Sequence, residues 1–101
     1  MSFGLTKEDM VFIVSAIGQF NEIKKAVIFG SRAKGNYKPG SDVDIAIFGD
    51  GITFDTLSRL HAILEEESPM PYFFDIVDYS HLTHTELKEH IERVGKIIFE
   101  R

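Results

Sequence analysis

The chain of 101 residues contains no cysteine and no tryptophan, and only three prolines. Without cysteine there is no disulfide and no thiolate metal site. No apolar run approaches the roughly 18 residues that a membrane span requires, and the N-terminus carries no signal-peptide pattern. These absences set the expectation of a cytoplasmic protein with no membrane partner. One local absence is more telling. Between Glu22 and Asp42 there is no acidic residue, although Lys24, Lys25, Arg32, Lys34 and Lys38 all lie there. The segment carries five positive charges in a chain of net charge −5, so the remainder carries −10. That balance excludes a protein that coats nucleic acid non-specifically. The positive island suits a small anionic ligand, and a solvated lysine-rich turn would show the same charge.

What is present reads as one domain over residues 1–101, with 44% hydrophobic residues and nine phenylalanines to build a single modest core. Thr6 can cap a helix whose apolar positions are Met10, Ile13, Val14, Ile17 and Phe20. "KAVIF" reads as a short buried strand ending at Gly30, "SRAK" as a helical turn and "GNYKPGS" as a loop. "DVDIAIF" is a second strand. "TFDTLSRLHAILEEE" is a helix with Phe54, Leu57, Leu60 and Leu64 on one face, ended by Ser68-Pro69-Met70-Pro71. "YFFDIVDY" is a third strand. Thr83 and Glu86 form a capping-box pattern ahead of a helix through Leu87, Ile91 and Val94, and "KIIFE" closes the chain as a strand. The expected class is α+β, a small mixed sheet of about four strands backed by helices.

Two phosphate-loop patterns are tested and rejected. Gly30 and Gly35 have the P-loop separation, but Asn36 and Tyr37 follow where a lysine and a hydroxyl are needed. The dinucleotide pattern fails because Arg32 occupies its middle glycine position. What remains is Gly30-Ser31 at a strand end, a place where backbone can approach an anion closely, and equally an ordinary strand-to-helix turn.

Asp42 and Asp44 shift that balance. Two apart on a strand, their carboxylates leave one face about 6–7 Å apart, while Val43, Ile45 and Ile47 leave the other. Such a pair repels by about 2–3 kcal/mol at an effective dielectric near 20. A divalent metal would turn the repulsion into coordination. A third carboxylate is expected from "YFFDIVDY", where Asp75 sits mid-strand and Asp78 at the strand end, on opposite faces; Asp75 is assigned to the site and Asp78 to a surface or turn.

With Gly30-Ser31, ten intervening residues and Asp42-Val43-Asp44, the chain resembles the nucleotidyltransferase superfamily related to DNA polymerase β. "FGSRAKGNYKPGSDVDIAI", "DIVDY" and the "GKIIFE" ending are similar to the minimal nucleotidyltransferase family, and the resemblance covers nearly the whole chain. It implies the polymerase β-like fold and a Mg²⁺-dependent transfer of a nucleoside monophosphate, AMP from ATP or another nucleoside triphosphate, to a hydroxyl on a partner protein or a small molecule. It implies that Asp42 and Asp44 hold two Mg²⁺ ions, and that Asp75 helps hold the second and accepts the proton of the attacking hydroxyl. By the same resemblance Gly30 and Ser31 bind the β- and γ-phosphates, with Arg32 and Lys34 neutralising the triphosphate. Many relatives carry arginine where Lys34 stands.

Larger superfamily members add a helical domain for the acceptor, so the resemblance implies a separate partner here. That partner is a small all-helical protein of the HEPN or substrate-binding type, in a toxin–antitoxin pair of which this chain is the antitoxin. It is expected to dock beside Arg32, Lys34 and Tyr37, and self-association into a homo-oligomer stays open. A second reading from another class is a catalytically weak or inactive nucleotide-binding antitoxin that acts by contact. His81, His84 and His90 lack metal-ligand spacing and are assigned to capping or surface positions. Glu65-Glu66-Glu67 reads as a solvated helix end, and Tyr37 is the one aromatic placed to touch a nucleotide.

Overall fold

The computed structural model describes residues 3–68 and 70–101; Pro69, expected to help end the second long helix, lies outside the described residues. The elements run α1 (Lys7–Gly18), β1 (Lys25–Phe29), α2 (Gly30–Lys34), β2 (Val43–Phe48), α3 (Phe54–Glu66), β3 (Phe74–Asp78), a 3₁₀ turn (Tyr79–His81), α4 (Thr85–Val94) and β4 (Lys96–Glu100). This is the expected order. Thr6 caps α1 by accepting from the Asp9 N–H at 3.0 Å, while the Asp9 carboxylate accepts from the Thr6 N–H. Thr53 caps α3 in the same reciprocal way with Thr56.

One cap differs from the sequence expectation. His84, not Thr83, is the N-cap of α4, its Nδ1 accepting from the Leu87 N–H at 3.1 Å. An imidazole acceptor serves the orphan amide as an oxygen would, a use of histidine that cap propensities do not anticipate. Phe54 also departs from its expected place. As the first residue of α3 it is 82% exposed, while Leu60 and Leu64 further along the helix are fully buried.

The sheet order is β3-β2-β1-β4. β1 pairs antiparallel with both β2 and β4, whereas β2 and β3 are parallel, α3 making the crossover between them. The sheet is covered on both faces. Ile28, Val43, Ile45, Ile47 and Phe74 pack with Ile13 and Ile17 of α1 and Leu60 and Leu64 of α3. Val27, Phe29 and Ala46 pack on the other side with Ile91 of α4. Each fully buried aliphatic side chain contributes about 1.5–3 kcal/mol relative to exposure.

Glu65, expected to be merely solvated, pins the start of β3: it accepts the Phe74 N–H at 2.8 Å, while His61 meets the Phe74 carbonyl at 3.1 Å. These two α3 side chains satisfy backbone groups that an edge strand would leave open. Among the described residues no helix is long and apolar enough to cross a membrane.

Candidate active site

The strand registers bring four features to one end of the sheet. Phe29, the last residue of β1, pairs with Asp44, so Gly30 and Ser31 emerge beside the start of β2. Asp44 in turn pairs with Asp75 at the start of β3, and Asp42 precedes β2 by one residue. Partners in a parallel register share a face of the sheet, so the Asp44 and Asp75 carboxylates lie on the same side. It is the side of Ala46 and α4, away from the larger core.

Gly30 has a φ of +75°, in the left-handed region, and a Cβ there would overlap the Asp44 Oδ2. Both the backbone conformation and the close approach therefore require glycine. Ser31 follows in the first turn of α2, partly exposed, and Gly35 ends that helix with its N–H bonded to the Ser31 carbonyl.

Electrostatics single out Asp44. Partial burial, then the charges of Asp75 and Asp42, push its carboxyl up to about 6, with Arg32 pulling the other way. Two neighbouring anions and a desolvated position are what a cation would relieve. Asp42 and Asp75 are exposed. Among the described residues no three His, Cys, Asp or Glu side chains converge tightly enough to hold a metal ion by themselves. Carboxylates that gather without closing a cage suit Mg²⁺, which usually keeps waters and binds through one or two carboxylates plus substrate phosphates. Asp78 lies at the far end of β3, where it accepts from the Ser80 N–H and pairs with His81, the turn role expected of it.

Arg32 is placed differently from the expectation of a phosphate contact. It is only 3% exposed, and its guanidinium donates twice to the Ser41 carbonyl, at 3.1 and 2.7 Å, and once to the Phe3 carbonyl at 2.8 Å. The Tyr37 and Tyr72 rings lie against it, 5.3 and 4.6 Å from centroid to guanidinium carbon. The side chain thus clasps the 36–41 loop and the chain's N-terminal segment. Tyr37, expected to touch a nucleotide, covers that clasp. Of the expected docking trio, Lys34 is the exposed cation and Arg32 is turned inward.

One residue at the site was not anticipated for it. His90 of α4 reaches across to Gly30, its Nε2 accepting the Gly30 N–H at 3.1 Å. Nothing in the sequence spacing signals a bond spanning 60 residues. On the α3 side of β3, the face opposite the Asp44 and Asp75 carboxylates, a groove of about 390 Å³ is lined by Phe54, Leu57, His61, Phe74, Asp75 and Ile76.

Residues 13–101 match the family model described as Polymerase beta, Nucleotidyltransferase, and the chain belongs to that family. No curated protein matches it. Among solved structures it is similar to a chain of a toxin–antitoxin complex with AMP-PNP, at 20% identity and a TM-score of 0.74, over 96% of this chain and 75% of that one. It is similar to a chain of the toxin–antitoxin MntA-HepT at 18% identity and a TM-score of 0.73, over 95% and 74% of the two chains. A complex of tri-AMPylated HEPN toxin with MNT antitoxin from Shewanella oneidensis gives 18% identity and a TM-score of 0.72, over 94% and 72%. At these identities the likeness is one of fold: the polymerase β-like nucleotidyltransferase fold.

Proposed function

We propose that this chain is a Mg²⁺-dependent nucleotidyltransferase that moves AMP from ATP to a hydroxyl on a small all-helical partner of the HEPN type. The observation that carries the reading is the register of Asp44 beside Asp75, with Asp42 adjacent and the Asp44 carboxyl held up by burial and by its neighbours' charge. Asp42 and Asp44 would hold Mg²⁺, and Asp75 would help to hold a second ion. When bound, Mg²⁺ supplies charge neutralisation for the triphosphate and the leaving pyrophosphate.

The chain's own residues do the rest. Gly30 keeps the turn free of a side chain, and Ser31 donates its hydroxyl to the β- and γ-phosphates. Lys34 adds positive charge, and Arg32 contributes through its field and by fixing the loop. The acceptor oxygen bonds to the α-phosphorus as the bond to pyrophosphate breaks, and an Asp75 Oδ takes the acceptor's proton.

Support for AMP and for a helical acceptor comes from the tri-AMPylated toxin seen with a relative of the same fold. The site works in the cytoplasm on this reading. Mass spectrometry of this protein mixed with a HEPN-type partner, ATP and Mg²⁺ tests it. An added AMP mass on the partner, absent with Asp44→Asn, is expected. Tight binding without modification under any nucleotide would establish the contact-only antitoxin instead.

A further inference from the structure

The bond between His90 and Gly30 fixes more than a contact. A backbone amide can only donate, so the Nε2 that meets it at 3.1 Å is unprotonated and the ring carries its proton on Nδ1. The ring stands edge-on to Phe29, with centroids 6.0 Å apart and planes at 79°, so its orientation is set by packing. The acceptor comes from α4 and the donor sits at the junction of β1 and α2. This polar link between α4 and the junction therefore falls on the residue whose φ of +75° lets the backbone lie against Asp44.

We propose that His90 is the positioning residue of this site: by accepting the Gly30 N–H it holds the glycine–serine turn in the left-handed conformation that aligns Ser31 with the carboxylates. The inference rests on the nucleotidyl-transfer reading and deepens it. Because the Gly30 amide is already engaged, Gly30 serves a triphosphate through its missing side chain, and the donors left for the anion begin at Ser31. The surroundings keep the imidazole neutral for this task. Burial, then Arg93 on its own helix and Lys34 on α2, lower its pKa from the ordinary value, and β1 presents the Phe29 ring and the Gly30 amide. Neutral His90 is thus the form present at physiological pH.

The bond can be read directly in the wild-type protein. A trans-hydrogen-bond ¹⁵N–¹⁵N coupling between the Gly30 amide and His90 Nε2 is expected by NMR, and its absence overturns the inference without any variant. For function, the probe is AMP-PNP with Mg²⁺, titrated calorimetrically. Losing one such bond should weaken affinity by roughly five- to tenfold in His90→Leu. His90→Asn, whose carboxamide stops short of Gly30, should lose about as much. His90→Gln, which can place its Oε1 near the imidazole Nε2 position, should bind within about twofold of the wild type. A purely packing role would not be rescued by glutamine. Wild-type protein that binds no AMP-PNP overturns the nucleotidyl-transfer reading and this inference with it. Wild-type protein that binds, with His90→Leu and His90→Asn binding equally well, overturns the inference alone.

Discussion

The two ends of the four-stranded sheet treat their acids in opposite ways. At the end where β1 begins, Glu22 accepts the Thr56 hydroxyl at 2.7 Å, and that bond above all lowers its pKa below the ordinary glutamate value. Asp78, at the same end, caps the 3₁₀ turn and pairs with His81. Every one of these carboxylates has a donor. At the other end Asp42, Asp44 and Asp75 are gathered by the strand registers, and the Asp44 carboxyl is pushed up to about 6 by burial and by its two neighbours. Arg32, whose charge pulls the Asp44 carboxyl the other way, spends its donors on the Ser41 and Phe3 carbonyls instead. The difference separates acids that hold the fold together from acids that, on the proposed reading, are kept at some cost for a charge that arrives from outside.

Replacing Asp44 by Asn should sharpen that contrast most. Transfer should be abolished in a labelled-ATP assay, while the metal-free protein becomes more stable. The folded state holds the Asp44 proton up to about pH 6, against an ordinary value of 3.8. The wild-type stabilisation is therefore full below that ordinary value and is lost as pH rises through 6. The advantage of the variant should be small near pH 4 and reach about 1 kcal/mol at pH 8, less than the full shift implies because solvent screens a half-exposed carboxylate. Thermal melts without metal at the two pH values check the sign. A large drop in melting temperature would mean that Asp44 is a structural residue.

Asp75→Asn is expected to lower turnover by orders of magnitude while leaving Mg²⁺–ATP binding measurable, since on the proposed reading it removes the proton acceptor rather than the main ligands. Single-turnover kinetics beside a binding titration would separate the two effects. If turnover survived, the role of Asp75 beside Asp44 would be electrostatic only.

At the satisfied end the outcomes should invert. Thr56 is 2% exposed, and Thr56→Val removes the donor to Glu22 and part of the α3 cap. A loss of about 1–2 kcal/mol is expected at neutral pH with transfer intact. The Glu22 contribution is present above the ordinary glutamate pKa and lost as pH falls through its lowered folded-state value, so the gap should narrow in acid. Denaturant melts at pH 7 and pH 3 would show it. Smallest is Asp78→Ala, which gives up a cap for about 1 kcal/mol and no catalytic change. A variant at Asp78 that lost transfer would place the third carboxylate on the wrong face of β3.

How much of this was legible in the sequence follows from the range of the forces involved. The alternation of Val43, Ile45 and Ile47 with Asp42 and Asp44 shows directly which side chains face the larger core, because the period of a strand is two. The same period separates Asp75 from Asp78. The burial of Arg32 was not legible, because its partners, the Phe3 and Ser41 carbonyls, belong to segments whose approach no local pattern reveals. Phe54 falls on the apolar helical stripe by spacing, yet at the first position of α3 it stays largely exposed. His84 and His90 use imidazole nitrogens as acceptors for backbone amides, and neither use leaves a spacing signature.

The parallel pairing of β2 with β3 has a consequence for when the site exists. β1, the glycine turn and β2 are contiguous and can meet through a short loop, but Asp75 reaches Asp44 only after the α3 crossover has closed. His90 reaches Gly30 later still along the chain. During synthesis, which proceeds from the N-terminus, a nascent chain could display Asp42, Asp44 and Ser31 well before their two distant companions emerge. Competence for nucleotide is thus tied to completion of the domain, and a truncated or half-folded copy would carry the recognisable motif without the assembled centre.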